Sequence, residues 1–298
     1  MKLIKPSFEI LEQLPVLEGM YKQIELAGRT CYKSEDKITE TSAKEFVDRM
    51  IKSGHGAMLE HGTVYLSLDM TSREQYFKYC YNKFSKANST GSAEYSTWRG
   101  FVTTNLRVLV ENDWMEDLQY ISEPTEYHEK RHTVKFICDR GVSHEFVRHR
   151  VFSFAQESTR YCNYSKDKFS NEITYICPCW LDYDRVQELT EIANRDNKEV
   201  YRMGHDESLS MEERGLCSFV YDMSNHEHGY LFQISAGWKA QEARAILPNS
   251  LKTELVMTGF VSDWKHFFEL RCPGSAHPQA RELAIPLQEK FKELKWVD

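Results

Sequence analysis

The residues best suited to chemistry lie in one stretch, RHRVFSFAQESTRYCNYS, residues 148–165. Arg148, His149, Arg150 and Arg160 fall close together, with Gln156, Ser158 and Thr159 between them. Cations at this density repel one another, so the stretch calls for an anion. The fork of Arg160, an amide and two hydroxyls suit phosphate oxygens and the polar edge of a base. On a helix, neighbours point about 100° apart, so Arg148 and Arg150 can reach different parts of an extended anion. The alternative is internal pairing with carboxylates such as Glu145 and Glu157.

Other candidates stand apart in sequence. ISAGWKAQEARAILP contributes Gln241 and Arg244, and FFELRC contributes Arg271. Each arginine closes a partly apolar helical segment, where a lone arginine is usually a surface cap for the last carbonyls, the favoured reading for either one alone. SGHGAMLEHG carries His55, Glu60 and His61 in a glycine-broken loop, a pattern that favours hydrogen bonding over a metal. Cys177 and Cys179 are too close for a zinc half-site, and His226 and His228 fit a solvated helix or turn. No metal site is expected, and the eight scattered cysteines read as reduced thiols, mostly buried.

The 298 residues carry a formal charge of −7, and 41% are hydrophobic, enough for a core. An acidic chain is a poor match for a nucleic-acid backbone, which wants a broad basic face, so the arginines read as a local pocket for a small anion. MKLIKPSFEILEQLP has no apolar run of the signal-peptide kind, and no stretch is long enough to span a bilayer, so a cytoplasmic location is expected.

Several elements must position these residues. Ser42 with Glu45 predicts a helix start, ending near Gly54. Residues 63–70, 132–139 and 250–259 read as strands, and 71–88, 181–205, 260–271 and 278–296 as helices. Apolar residues at 142, 146, 147 and 151 predict a helix with Arg148 and Arg150 near its C-terminal part. QISAGWKAQEARAILP reads as one helix stopped by Pro248. Residues 85–97 and 204–215 read as loops, whereas 101–112 fits a strand or a helix start. Without a βαβ rhythm or a glycine-rich phosphate turn, the class is α+β rather than Rossmann, in a single domain over 1–298 without a linker.

Arg-His-Arg, seven residues, then Ser158 and Arg160-Tyr161 resembles the signature of the flavin-dependent thymidylate synthases. GHGAMLEH is similar to that family's histidine loop, EARAILP to its nucleotide-binding arginine segment, and WKHFFELRC with AHPQARE to its C-terminal helices. ELAGRTCY (25–32) fits too, so ordered blocks run from residue 25 to 282.

The resemblance implies a twisted, mainly antiparallel sheet flanked by helices, in a homotetramer with active sites at subunit interfaces. It implies conversion of dUMP to dTMP with methylenetetrahydrofolate as one-carbon donor and FAD reduced by NADPH. His55, Arg148, His149, Arg150, Gln156 and His266 would lie on FAD. Glu145, Arg148, Gln156, Glu157, Ser158, Thr159, Arg160 and Arg244 would surround dUMP, residues 156–160 coming from a neighbouring subunit. Arg271 would sit at the pyrimidine and stabilise its ionised form, as the catalytic residue.

This chain departs from the family pattern at Ala57, Glu145, Gln156, Phe260 and His266, positions that bear on individual contacts. Compact members also have a shorter connection in place of residues 71–131, an elaboration expected to pack at a subunit interface. Two rivals remain in view. A cysteine-nucleophile enzyme would use Cys179, which has no activating neighbour in sequence. A non-catalytic nucleotide- or RNA-binding module would use the arginines, with Tyr161 and Tyr164 for stacking.

Overall fold

The computed structural model describes residues 1–298. The strands are β1 (Lys2–Ile4), β2 (Ser7–Leu11), β3 (Thr63–Leu68), β4 (Lys86–Thr90), β5 (Arg99–Asn105), β6 (Arg131–Asp139), β7 (Ser153–Gln156), β8 (Thr174–Ile176) and β9 (Lys252–Phe260). The helices of the first half are α1 (Val16–Tyr32), α2 (Ser42–Lys52), α3 (Gly56–Leu59), α4 (Arg73–Cys80), α5 (Leu106–Glu111) and α6 (Arg140–Phe146). Those of the second half are α7 (Tyr183–Gly204), α8 (Met211–Ser235), α9 (Ala240–Ala243), α10 (Val261–Arg271) and α11 (Pro278–Glu293).

A four-stranded antiparallel sheet in the order β2-β6-β9-β7 is the frame of the site. β6 and β9 are rich in Thr, Val, Leu, Ile and Phe, residues that fit a pleated surface buried on both sides. They pair from Arg131↔Phe260 to Asp139↔Lys252. On one face Val134, Phe136, Leu255 and Met257 pack with Trp264, Phe267, Leu283 and Phe291 of α10 and α11. Burying each such side chain contributes about 1.5–3 kcal/mol. Gly259 lets this layer close, since a Cβ there would lie 2.5 Å from the Phe152 ring. The other face meets α1 through Ala27, Ala155 and Val256.

A second antiparallel sheet, β3-β5-β4, shares its core with α1, α2 and α4 through Ile24, Phe46, Val64, Tyr79, Trp98 and Leu106. Residues 71–131 are therefore built into this core. β1 and β8 pair in parallel beside the α7–α8 hairpin. No helix is long and apolar enough to cross a membrane.

The strands at 63, 132 and 250, and the helices at 42, 181, 260 and 278, form within a few residues of their predicted bounds. Several expectations need correction or completion. Residues 85–97 contain β4, a polar strand made by hydrogen bonding to β5, and the preceding helix stops at Cys80. The segment 101–112 is both alternatives in series, strand then helix, divided at Asn105, whose side chain caps Val108 N. α6 ends at Phe146, so Arg148 and Arg150 lie in the turn beyond it. The predicted helix over 233–248 breaks after Ser235, where Gly237 takes a φ of +95°; a long helix, α8, precedes the break. The loop around His55 holds one helical turn, α3, and the loop assigned to 204–215 ends where α8 begins.

Candidate active site

Asp139 starts α6, its Oδ1 accepting Val142 N at 2.7 Å, a capping arrangement that aims the helix across the sheet. The other end of α6 meets the end of α10, where Arg271 donates three hydrogen bonds. Nε reaches His149 Nε2 at 2.9 Å, Nη1 reaches Glu145 Oε2 at 2.7 Å, and Nη2 reaches the Glu145 carbonyl at 2.8 Å. A guanidinium has five N–H donors, so two remain for a ligand. The side chain of Arg271 is only 16% exposed, which fixes the planar cation in place.

His149 must accept from Arg271, which requires a neutral ring with its proton on Nδ1. Burial, then the charges of Arg271 and His266, push its pKa down to about 4, consistent with that role. His266 is exposed, its ring 6.3 Å from that of His149. Arg148 is exposed, as is His55 at the start of α3.

The second group follows β7. Gln156 Nε2 donates to Ser143 Oγ at 2.8 Å and Thr253 Oγ1 at 3.2 Å. Glu157 is buried, with its carboxylate 2.9 Å from Lys252 Nζ. Ser158 N bonds the Cys31 carbonyl at 3.0 Å, fastening the segment to the end of α1. Arg244 Nη1 donates to Thr159 Oγ1 at 3.1 Å, bringing together two residues distant in sequence. Arg160 is exposed and lies over the Tyr161 ring, 5.4 Å from its centroid.

Residues outside the sequence signature complete this neighbourhood. Glu254 on β9 receives Lys33 and Lys252 at 2.6 Å, and Lys135 also at 2.6 Å. Burial pushes its carboxyl up, but the three lysines outweigh this and hold it at about 2. The only sequence signal was alternation: Lys135 and Glu254 interrupt apolar strands at positions where a lone charge would be buried. His61 is buried, with Nδ1 2.8 Å from Thr258 Oγ1, and burial pulls its pKa down to about 3.

Arg150 lines a cavity of about 440 Å³, within the range of small-molecule sites. No group of three His, Cys, Asp or Glu side chains is arranged to hold a metal. Cys179 is exposed, and partial burial followed by Glu282 raises its thiol pKa, which disfavours the thiolate.

A model of the thymidylate synthase complementing protein family matches residues 74–295. Curated relatives are flavin-dependent thymidylate synthases. That of Corynebacterium aurimucosum is 24% identical over 272 residues, covering 91% of this chain and 75% of the relative. Those of Corynebacterium efficiens and Pyrococcus horikoshii are 32% and 29% identical over 155 and 161 residues, each alignment covering just over half of both chains. The match begins near the start of α4 and takes in the Arg-His-Arg turn, the Arg244 segment and the Arg271 fork. The chain belongs to the thymidylate synthase complementing protein family, that of the flavin-dependent thymidylate synthases.

Proposed function

We propose that this protein converts dUMP to dTMP by reductive methylation, with methylenetetrahydrofolate as one-carbon donor and FAD, reduced by NADPH, as cofactor. The observation that carries the reading is the Arg271 fork, held by Glu145 and His149 with two donors to spare. Uracil C5 is a poor nucleophile, and charge developing over N3 and the carbonyl oxygens needs a fixed positive partner. A half-buried, always-charged guanidinium meets that need, and pre-orientation by Glu145 avoids reorganisation during the reaction.

The residues suit FAD: Arg150 lines a cavity in which five cations face three carboxylates, a fit for a cofactor bearing two phosphates. When bound, the flavin supplies the hydride that brings the transferred carbon to the methyl level. The chain's own residues bind, orient and compensate charge. Thr159, Arg160 and Arg244 would hold the nucleotide phosphate, with Ser158 a hydrogen-bonding residue, not a nucleophile. Gln156, Glu157 and Arg148 would line the nucleotide, and His55, His149 and His266 the flavin. The exposure of Arg148, Arg160 and Arg244 in one chain accords with a homotetramer whose sites are completed by neighbouring subunits. Gel filtration at the monomer mass would count against that assembly.

The test is dTMP formation by mass spectrometry from dUMP, methylenetetrahydrofolate and NADPH, with and without added FAD. Flavin-dependent product is the expected result; no product from folded, flavin-loaded protein overturns the reading.

A further inference from the structure

The cavity beside Arg150 is walled on one side by the segment 83–111, which brings Lys83, Phe84, Lys86 and Arg107. Arg131 at the start of β6 also lines it, with Phe260 and Asp263 at the start of α10. Arg107 ion-pairs with Glu60 and Glu111, which absorbs two of the three carboxylates. Asp263 is engaged as the cap of α10, accepting Phe260 N at 2.9 Å. Lys86 reaches Glu129 only at 4.0 Å. With five cations against three carboxylates, Lys83, Lys86, Arg131 and Arg150 share a net surplus of two positive charges around a space large enough for a ligand.

Arg131 is the second, independent observation. It is 9% exposed, and its hydrogen bonds go to neutral oxygens: the Glu60 carbonyl at 3.0 Å, Thr63 Oγ1 at 3.3 Å and Ser153 Oγ at 3.1 Å. Its Nε has no partner. Burial lowers its pKa to about 10, a pull that Tyr65, Glu60 and Asp263 offset only in part. A buried guanidinium that no carboxylate hydrogen-bonds, and with an unused N–H, is costly unless an anion joins it. Lys86 Nζ and Arg131 Cζ lie 5.6 and 5.5 Å from the Phe260 ring centroid, so two cations share one aromatic neighbour.

We propose that this cavity is a diphosphate subsite, in which Lys83 and Lys86 join Arg131 and Arg150 on the diphosphate of a bound dinucleotide. It rests on the synthase reading above and gives the 71–131 segment a role in ligand binding. FAD and NADPH both carry this group, and the experiment separates them.

The test uses the full-length Lys83→Ala/Lys86→Ala protein, both positions being exposed, so that folding is not at risk. FAD affinity is read from flavin fluorescence quenching and NADP+ affinity by calorimetry, beside thermal unfolding without ligand. Losing two charge-assisted contacts should weaken FAD by about tenfold or more and reduce the salt dependence of its binding. Lys83→Glu/Lys86→Glu should deepen the loss. A loss confined to NADP+ assigns the diphosphate to the nicotinamide dinucleotide and keeps the subsite. Unchanged affinities, in a parent that binds both dinucleotides, overturn the subsite and leave the synthase reading intact. A parent that binds neither overturns both.

Discussion

Two cavities of similar size, about 470 and 440 Å³, differ in how their charge is balanced. The first, beside β8, is lined by Lys2, Lys33, Lys168 and Lys252 against Glu35, Asp36, Glu157 and Glu172, an even count. Behind it, Glu254 binds three lysines at once. The second has five cations against three carboxylates, and its buried Arg131 hydrogen-bonds only neutral oxygens. Charges that satisfy one another hold a structure together; charges left in surplus are available to a ligand. The Arg-His-Arg turn places Arg150 on the surplus cavity and His149 on the Arg271 fork, where Glu145 already pairs the cation.

The comparison breaks if both sides respond alike to substitution. The largest expected effect is at the Arg271 fork, beside that same turn. Arg271→Ala should lower turnover by about 10²- to 10³-fold, as loss of a transition-state charge donor does, while flavin is retained and circular dichroism is unchanged. Turnover within a few-fold of the parent would remove Arg271 from the chemistry. On the balanced side, Glu254→Gln leaves three partly buried lysines without their shared carboxylate. It should cost about 3 kcal/mol of stability in urea unfolding, the range for breaking a buried ion pair. A shift in flavin affinity without a stability loss would reverse the assignment of the two regions.

What the sequence made legible follows from range. β6 and β9 announced themselves by β-branched and apolar runs, and α10 and α11 by helical spacing, because those signals are local. The site residues near Arg148 and Arg271 were legible through ordered motifs, although neither motif revealed that Glu145 clasps Arg271. β4 was hidden because KANST is polar, and its strand character comes from pairing with β5. The Glu254 network was illegible because Lys33 is 221 residues away and only the folded sheet brings them together. Arg131, just before the strand predicted from 132, carried no local signal; the closure of Glu60, Thr63 and Ser153 around it is what buries it.

Two smaller effects sharpen the contrast. Arg150→Ala should weaken FAD by about tenfold with the melting temperature unchanged, since its exposed side chain contributes little to packing. Unchanged flavin retention on a column would place Arg150 outside the cofactor site. The last effect is on the pH dependence of stability, where the two sides separate by range. His149 titrates at about 4 in the folded protein against 6.5 ordinarily, and His61 at about 3. Below pH 6.5 the unfolded chain therefore binds more protons than the native one, so stability falls as pH drops from 6.5 toward 4. Glu254 lies at about 2 against 4.5, so its contribution is intact above 4.5 and is lost as pH falls from there toward 2. His149→Gln keeps an acceptor for Arg271 but cannot titrate, so it should flatten part of the slope between pH 6.5 and 4 and leave the acid limb alone. Glu254→Gln should do the reverse. A His149→Gln profile that parallels the parent down to pH 4 would mean that the ring is not held neutral against Arg271, and the fork would then need another partner to fix it.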